Sequence, residues 1–166
     1  MPADDPAQEE AATTNLDMTA IDAAVQILNE HRVMAVSTLR PDGWPQSTIV
    51  GYANDGLSLY FVILRSSQKL ANIQKEDRIA VAIGEEPPIL SEAKAVYAGA
   101  RAVELTDEGE RAHAWELLNR RHPNLAPYDI PDPTVTAMMR ADCLHVSVVD
   151  FTKGSGHTEA FDIGSD

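Results

Sequence analysis

Three consecutive polar residues near the middle of the chain have the types and the position needed to bind an anion. Ser67, Gln68 and Lys69 follow an apolar run and precede a helical pattern whose apolar positions are Leu70 and Ile73. The first turn of a helix leaves backbone N–H groups unpaired, and the helix dipole favours negative charge there. With a serine to cap the helix and a lysine ammonium beside it, this stretch predicts a phosphate-binding site.

The remainder of the chain is strongly acidic. Its 166 residues include 26 Asp and Glu against 13 Lys and Arg, which gives a net charge of −13. Such a charge repels nucleic acid and anionic membranes at long range, so we expect neither as a partner. A ligand that bears a phosphate would therefore need a local positive site, and Lys69 provides one.

No segment of the sequence is typical of a membrane or secreted protein. No apolar run approaches the roughly 20 residues needed to span a bilayer. The stretch from Met1 to Glu10 has neither the basic region nor the apolar core of a signal peptide. The single cysteine, Cys143, excludes an internal disulfide. We therefore expect a cytoplasmic protein.

Other residue types that carry chemistry form no catalytic or metal-binding pattern. The five histidines lack the spacing that would place two of them on one helical face to bind a metal. The sequence also has no Ser-His-Asp order and no nucleophile elbow. We therefore expect no metal site, and the sequence identifies no catalytic residue.

Turn signals divide the region around the predicted phosphate site into strands. Pro41-Asp42-Gly43 and Asn54-Asp55-Gly56 separate runs that are typical of strands. Strands joined by such short turns leave no room for a crossover helix, so this sheet must be antiparallel. We predict six strands, at residues 33–40, 46–53, 57–63, 78–84, 94–105 and 143–151.

Helical patterns flank these strands. Residues 19–31 and 107–122 are predicted to be helices, a short helix runs from Ser66 or Ser67 to about Glu76, and residues 134–140 favour one or two helical turns.

Composition gives the domain organisation. The first 16 residues are rich in acidic residues, alanine and proline with few large apolar side chains, which predicts a flexible tail over residues 1–16. Residues 17–166 are long enough for one domain with a full core. Six antiparallel strands with peripheral helices make an α+β fold dominated by a β-barrel.

The order of strands, turns and Ser-x-Lys helix resembles a known family. The segments STLRPDGWPQSTIVGY, LYFVILRSSQKLANI and RIAVAIG are similar in pattern to the pyridoxamine 5′-phosphate oxidase-like family of FMN-binding split barrels. The resemblance covers about Val33 to Leu105. It implies a six-stranded split β-barrel and a homodimer, with FMN held in a groove at the subunit interface.

The resemblance also implies which residues contact the cofactor. In that family a Ser-Arg-Lys segment holds the phosphate, the second strand runs along the flavin, and a residue of the partner subunit can reach it. The matching residues here are Gln46, Ser47, Thr48, Ile49, Val50, Val62, Ile63, Ser67, Gln68, Lys69 and Lys94. Gln68 and Thr48 stand where the family has arginines, so two basic positions are missing; at Gln68 the change removes a bidentate phosphate donor.

The activity implied by the resemblance is that of a flavin-dependent oxidoreductase acting on a small molecule. In such a site the flavin carries hydride or electron transfer, while the protein orients it and excludes water. The chain ends in VVDFTKGSGHTEAFDIGSD and lacks the arginine-rich substrate segment of true pyridoxamine phosphate oxidases. Vitamin B6 oxidation is therefore not implied.

Three alternatives stay open. The Lys-Gly-x-Gly-His loop is distantly similar to the glycine-rich tail of haem-degrading relatives, in which case His157 would be an axial ligand. The reduced deazaflavin cofactor of other split-barrel proteins could take the place of FMN. The third alternative is a non-enzymatic ligand-binding barrel that has lost tight flavin affinity together with the missing arginines.

Overall fold

The computed structural model describes residues 19–164, and the tail predicted at residues 1–16 lies outside them. The helices in this part of the chain are α1 (19–30), α2 (Gln68–Lys75) and α3 (Glu108–Arg121). The strands are β1 (Val33–Leu39), β2 (Pro45–Gly51), β3 (Ala53–Asp55), β4 (Ser58–Leu64), β5 (Arg78–Gly84), β6 (Lys94–Glu104), β7 (Thr136–Asp150) and β8 (Thr158–Asp162). Within residues 19–164 no helix has both the length and the hydropathy needed to cross a membrane.

One antiparallel sheet curls into the predicted barrel. Its strand order is β2-β1-β5-β6-β7-β4-β3, and β8 pairs with the second half of β7. After Gly51 the chain passes through the buried Tyr52 into β3, which pairs with β4 instead of β1. This change of partner brings the two ends of the sheet together. The predicted fold class, a mainly antiparallel α+β split barrel, is confirmed.

The described residues form eight strands where six were predicted. β3 continues the second predicted strand, and only Tyr52 separates it from β2. β8 was not predicted, because five residues of mixed polarity after a glycine-rich loop give too short an alternation to indicate a strand. The six predicted strands correspond to β1, β2 with β3, β4, β5, β6 and β7, although β7 begins at Thr136 and not at residue 143.

Between β2 and β4 the barrel is open. The β3–β4 register pairs Ala53 with Tyr60, and continuing it backward places Gly51 opposite Val62. No backbone ladder joins β2 to β4 in the described part of the chain, although the two strands lie side by side. We call the gap between β2 and residues Phe61–Leu64 of β4 the split. Helix α2 packs on β1 and β4 beside it, and α3 packs on β3 and β4.

The main core fills the interior of the barrel. Met34 and Val36 of β1 are fully buried, while Val33, on the opposite face of the strand, is 55% exposed. The largest fully buried side chains include Tyr52 and Phe61. A second, smaller cluster joins β4 to α3 and contains Tyr60, Leu105, Ala114 and Met138. The outer face of β1 therefore exposes apolar surface.

The prediction of helical turns at residues 134–140 is wrong, because β7 begins at Thr136. Alanine and methionine favour helix in isolation. Here the stretch pairs with β4 on one side and with the end of β6 on the other, and Ala137, Met138 and Met139 are buried. Strand pairing and burial outweigh the helix propensity of these residues.

Candidate functional site

The helix predicted to bind phosphate begins where the sequence places it. Ser67 is the N-cap residue of α2, with an extended backbone, and its Oγ accepts a hydrogen bond of 3.3 Å from the N–H of Leu70. The N–H groups of Gln68 and Lys69 have no acceptor within residues 19–164. Two unpaired backbone donors and the positive end of the helix dipole therefore lie together.

Lys69 adds a positive charge to this end of the helix. Its side chain is partly buried, and no carboxylate of residues 19–164 forms an ion pair with its ammonium. Burial lowers the pKa of Lys69, because the charged form loses hydration. On a protein of net charge −13, an ammonium without a counter-ion provides a local site for an anion.

Arg65 lies close in sequence but is already engaged. Its guanidinium forms an ion pair with Glu104 and donates to the backbone carbonyls of Pro133, at 2.8 Å, and Thr136, at 3.2 Å. The hydrogen bond to Glu104 raises the pKa of Arg65. These contacts hold the chain before β7 against the end of β4. The positive charge available at the start of α2 is therefore that of Lys69.

A buried asparagine connects α2 to the barrel. Asn72 is fully buried, and its Nδ2 donates to Thr38 Oγ1 at 2.9 Å and to Gln46 Oε1 at 3.1 Å. Its Oδ1 accepts a hydrogen bond of 2.9 Å from Gln68 Nε2. Gln68, which stands where the resembled family has an arginine, is thus held by Asn72. Sequence analysis missed Asn72 and Thr38, since a polar residue beside the apolar Ile73 was the only signal.

The predicted site residues of β2 divide between the two faces of the strand. Gln46, Thr48 and Val50 are partly buried, and Val50 packs against the main core. Thr48 Oγ1 is buried without a hydrogen-bond partner in the described part of the chain, and such an unsatisfied group is unusual unless water or a ligand reaches it. On the exposed face Ser47 Oγ is 2.6 Å from Ser37 Oγ, and Ile49 is 70% exposed.

Lys94 lies on the outer face of the barrel together with Ile49. Both line a groove of about 510 Å³ that also includes Ala35, Ala82 and Tyr97. We call it the outer groove. Lys94 is opposite Asp150 in the β6–β7 register. The structure therefore groups Lys94 with the exposed face of β2, and not with the start of α2 in the same chain.

Val62 and Ile63 point in opposite directions from β4. Ile63 is buried in the main core, whereas Val62 packs against the smaller cluster, as do Trp115 and Leu117 of α3. At Val62 there is a cleft of about 280 Å³ between the split and α3. We call it the vertex cleft, because it lies where β2 gives way to β3. Its lining includes Gly51, Val62, Trp115, Leu118, His122 and Leu125.

His157, the histidine of the haem alternative, is already paired. Its Nε2 is 2.9 Å from Glu159 Oε1, and Lys153 Nζ is 3.6 Å from the same oxygen. The hydrogen bond from His157 lowers the pKa of Glu159. Within residues 19–164 no cluster of His, Cys, Asp or Glu could hold a metal ion.

The eleven predicted residues thus lie in three groups. One group lies around the start of α2, where Asn72 links Gln68 to Gln46. Another group is on the outer face, and the last is on β4 beside the core and the vertex cleft. The first group contains Gln46, Ser67, Gln68 and Lys69, and Thr48 and Val50 lie on the same face of β2 as Gln46. The second group contains Ser47, Ile49 and Lys94. The third group contains Val62 and Ile63.

Comparison with family models gives one match over most of the chain. Residues 20–152 match the model described as pyridoxamine 5′-phosphate oxidase. A comparison with curated proteins gives no match.

Solved structures share the fold. A haem-binding protein from Mycobacterium smegmatis has a TM-score of 0.70 at 18% identity, over 84% of this chain and 57% of that one. General stress protein 26 from Bacillus anthracis has a TM-score of 0.66 at 16% identity, and the match covers 87% of this chain and 98% of that one. An FAD-binding protein from Mesorhizobium loti has a TM-score of 0.61 at 22% identity, and the match covers 75% of this chain and 90% of that one.

Proposed function

The chain belongs to the pyridoxamine 5′-phosphate oxidase family, and from that premise we propose that it is an FMN-binding flavoprotein with oxidoreductase activity toward a small molecule. The observation that carries this proposal is Lys69, a partly buried ammonium without a counter-ion in residues 19–164, located beside two unpaired backbone N–H groups.

The residues at the start of α2 fit a phosphate group. Lys69 would supply the charge, and the N–H groups of Gln68 and Lys69 would supply hydrogen bonds. Gln68 would contribute through its backbone, because its side-chain amide is bonded to Asn72. The site therefore has fewer charged donors than the Ser-Arg-Lys segment of the family, and we expect weaker phosphate binding.

Bound FMN supplies hydride or electron transfer at its isoalloxazine ring. The residues of this chain would bind and orient that ring along the split. β2 and Val62 flank the split, and the buried hydroxyl of Thr48 would gain a partner there if the strand shifts slightly. The apolar side chains around Val62 would exclude water from the reacting centre.

A homodimer would complete this site. The outer face carries the exposed apolar side chains Val33, Ile49 and Tyr97, at 55%, 70% and 51% exposure. Apolar side chains grouped in this way are typical of a surface that another protein covers. Lys94 lies in the same outer groove, so a second copy docked there would bring its own Lys94 toward Ile49 of the first.

An absorbance spectrum of the purified protein tests the proposal directly. We expect flavin absorbance, or recovery of it when FMN is added to protein stripped of its ligand, together with quenching of FMN fluorescence on binding. Mass spectrometry of the released compound would distinguish FMN from FAD and from a deazaflavin. A protein that binds no flavin at any of these steps would contradict the proposal.

The haem alternative has a separate signature. The fold it shares with the haem-binding protein from Mycobacterium smegmatis makes haem a second candidate, but an axial His157 would first have to leave Glu159. A Soret band that disappears in His157→Ala would favour haem. Absence of both flavin and haem spectra would favour the non-enzymatic ligand-binding barrel.

A further inference from the structure

The vertex cleft has the size and composition of a pocket for one small ring. Its volume is about 280 Å³, just below the range of roughly 300 to 1,000 Å³ that is usual for pockets of drug-sized ligands. Val62, Trp115, Leu118 and Leu125 make most of its wall apolar. None of the described residues that line it is acidic, lysine or arginine. A neutral ligand fits such a cleft better than a charged one.

Two polar side chains line the cleft, the exposed Asn124 and the partly buried His122, and the tautomer of His122 is fixed. The Nε2 of His122 is 2.8 Å from the backbone oxygen of Tyr52. A carbonyl oxygen only accepts, so Nε2 must carry the hydrogen and donate. In the neutral ring Nδ1 is then an acceptor, and it has no hydrogen-bond partner within residues 19–164.

Gly51 allows this arrangement. A Cβ at residue 51 would lie 3.3 Å from His122 Cε1, which is tighter than ordinary van der Waals contact, and 3.5 Å from His122 Nε2. The absence of a side chain therefore lets the imidazole approach the end of β2 and reach the Tyr52 carbonyl. The histidine, the glycine and the opposite Val62 form one unit at the closed end of the split.

We propose that the vertex cleft binds a single planar ring that carries an N–H or O–H group, with the ring against Trp115 and the donor on Nδ1 of His122. Trp115 offers an aromatic surface for such a ring. Nδ1 of His122 requires a donor, since it can only accept. The cleft thus selects for a neutral phenolic or N–H heteroaromatic ring over an apolar ring of the same size.

The cleft also borders the proposed cofactor site, because Val62 belongs to both. If the proposed function is correct, the ring ligand is the small-molecule substrate, held at the end of the split away from Lys69. This identification of the ligand as substrate rests on the proposed function. The binding of the ring itself does not, and it can be measured on protein without flavin.

Tryptophan fluorescence can report occupancy of the cleft. The chain has two tryptophans, and Trp44 is 71% exposed in the β1–β2 turn. In a Trp44→Phe background the signal comes from Trp115 alone. We expect phenol to change this signal in a saturable way and toluene to bind about fivefold more weakly, which is the scale of one hydrogen bond. Equal or non-saturable effects of the two compounds would overturn the proposal.

Two substitutions of histidines on or next to α3 separate the role of Nδ1 from stability. In His122→Gln, the amide nitrogen can still donate to the Tyr52 carbonyl, but the remaining acceptor, Oε1, then projects away from the position that Nδ1 occupies in the ring. We expect the preference for phenol over toluene to fall to about one, with an unchanged unfolding midpoint. The control, His113→Gln, changes an exposed histidine that contacts Asp55 and not the cleft, so it should keep the preference. A preference retained in His122→Gln would contradict the proposal, as would its loss in His113→Gln.

A variant that fills the cleft covers the case in which His122→Gln does not fold. Leu125→Phe, on the loop after α3, adds bulk without adding a tryptophan to the fluorescence signal, and it should abolish the phenol response while leaving the barrel intact, since Leu125 is only partly buried. Titration of the same proteins with FMN keeps the two proposals apart. FMN binding without a phenol response would overturn the cleft proposal alone. A phenol response without FMN binding would support the ring site and remove its assignment to a redox substrate.

Discussion

Asn72 of α2 donates a hydrogen bond of 3.1 Å to the side-chain oxygen of Gln46 on β2. Asn72 is the centre of this network, because it also bonds Thr38 and Gln68. The helix that presents Lys69 is joined in this way to the strand that borders the split, so the network fixes the proposed phosphate site relative to the proposed flavin groove.

Replacement of the buried asparagine should destabilise the protein. Asn72→Leu leaves the buried hydroxyl of Thr38 and the amide of Gln46 without their donor, and we expect the free energy of unfolding to fall by about 1 to 3 kcal/mol. Urea unfolding measures this change. Gln74→Ala, an exposed position on the same helix, should stay close to wild type. If Asn72→Leu unfolds at the same urea concentration as wild type, the network is not a significant source of stability.

Loss of the α2 ammonium should weaken FMN binding. Lys69→Ala removes the charged donor, and we expect the Kd for FMN to rise by roughly 10- to 100-fold, which corresponds to about 1.5 to 3 kcal/mol. Fluorescence titration with FMN measures the effect. Lys75→Ala makes the same change of net charge at the other end of α2 and should leave the Kd within about twofold. Equal Kd values for the two variants would remove Lys69 from the site.

Acid should remove the contribution that Glu76 makes to the stability of the folded protein. Hydrogen bonds from Arg78 lower the pKa of Glu76 from 4.5 to about 2. A carboxyl whose pKa is lower in the folded state contributes stability that is complete above its unfolded pKa and is lost as the pH falls through the folded value. Between pH 4.5 and 2 the unfolding free energy of Glu76→Gln should therefore decline less steeply than that of wild type. Identical slopes in urea titrations across this range would contradict the assignment.

The cysteine should be inert in the folded protein. Cys143 is buried in the barrel, and desolvation raises its pKa to about 12, so almost no thiolate exists near neutral pH. We expect a thiol reagent at pH 8 to label it only after the addition of guanidinium chloride. Labelling of the native protein at the rate of free cysteine would show that this strand opens readily.

The local signals in the sequence predicted the elements nearest to the proposed site. Gly43 and Gly56 occupy turns with positive φ, of 87° and 57°, as the two turn motifs indicated. Ser67 caps α2. Each of these features depends on residues a few positions apart, which is why sequence patterns reveal them.

The features that sequence analysis missed depend on distant partners. Residues 136–140 form the start of a strand because β4 and β6 lie on either side of them. The network around Asn72 joins residues 34 and 26 positions away, and no local pattern signals it. His122 was interpreted only as a residue at a helix end, whereas its contact with the Tyr52 carbonyl spans 70 positions.

The split also has a consequence for handling the protein. β2 has a neighbour on one side only within the described residues, and the end of β4 is similarly uncovered. Uncovered strand edges can recruit strands from other molecules and so initiate aggregation. Pro45 offers some protection at the start of β2, since proline lacks the N–H group that an incoming strand would need. Preparations depleted of ligand should therefore precipitate sooner on storage than those in which these edges are shielded.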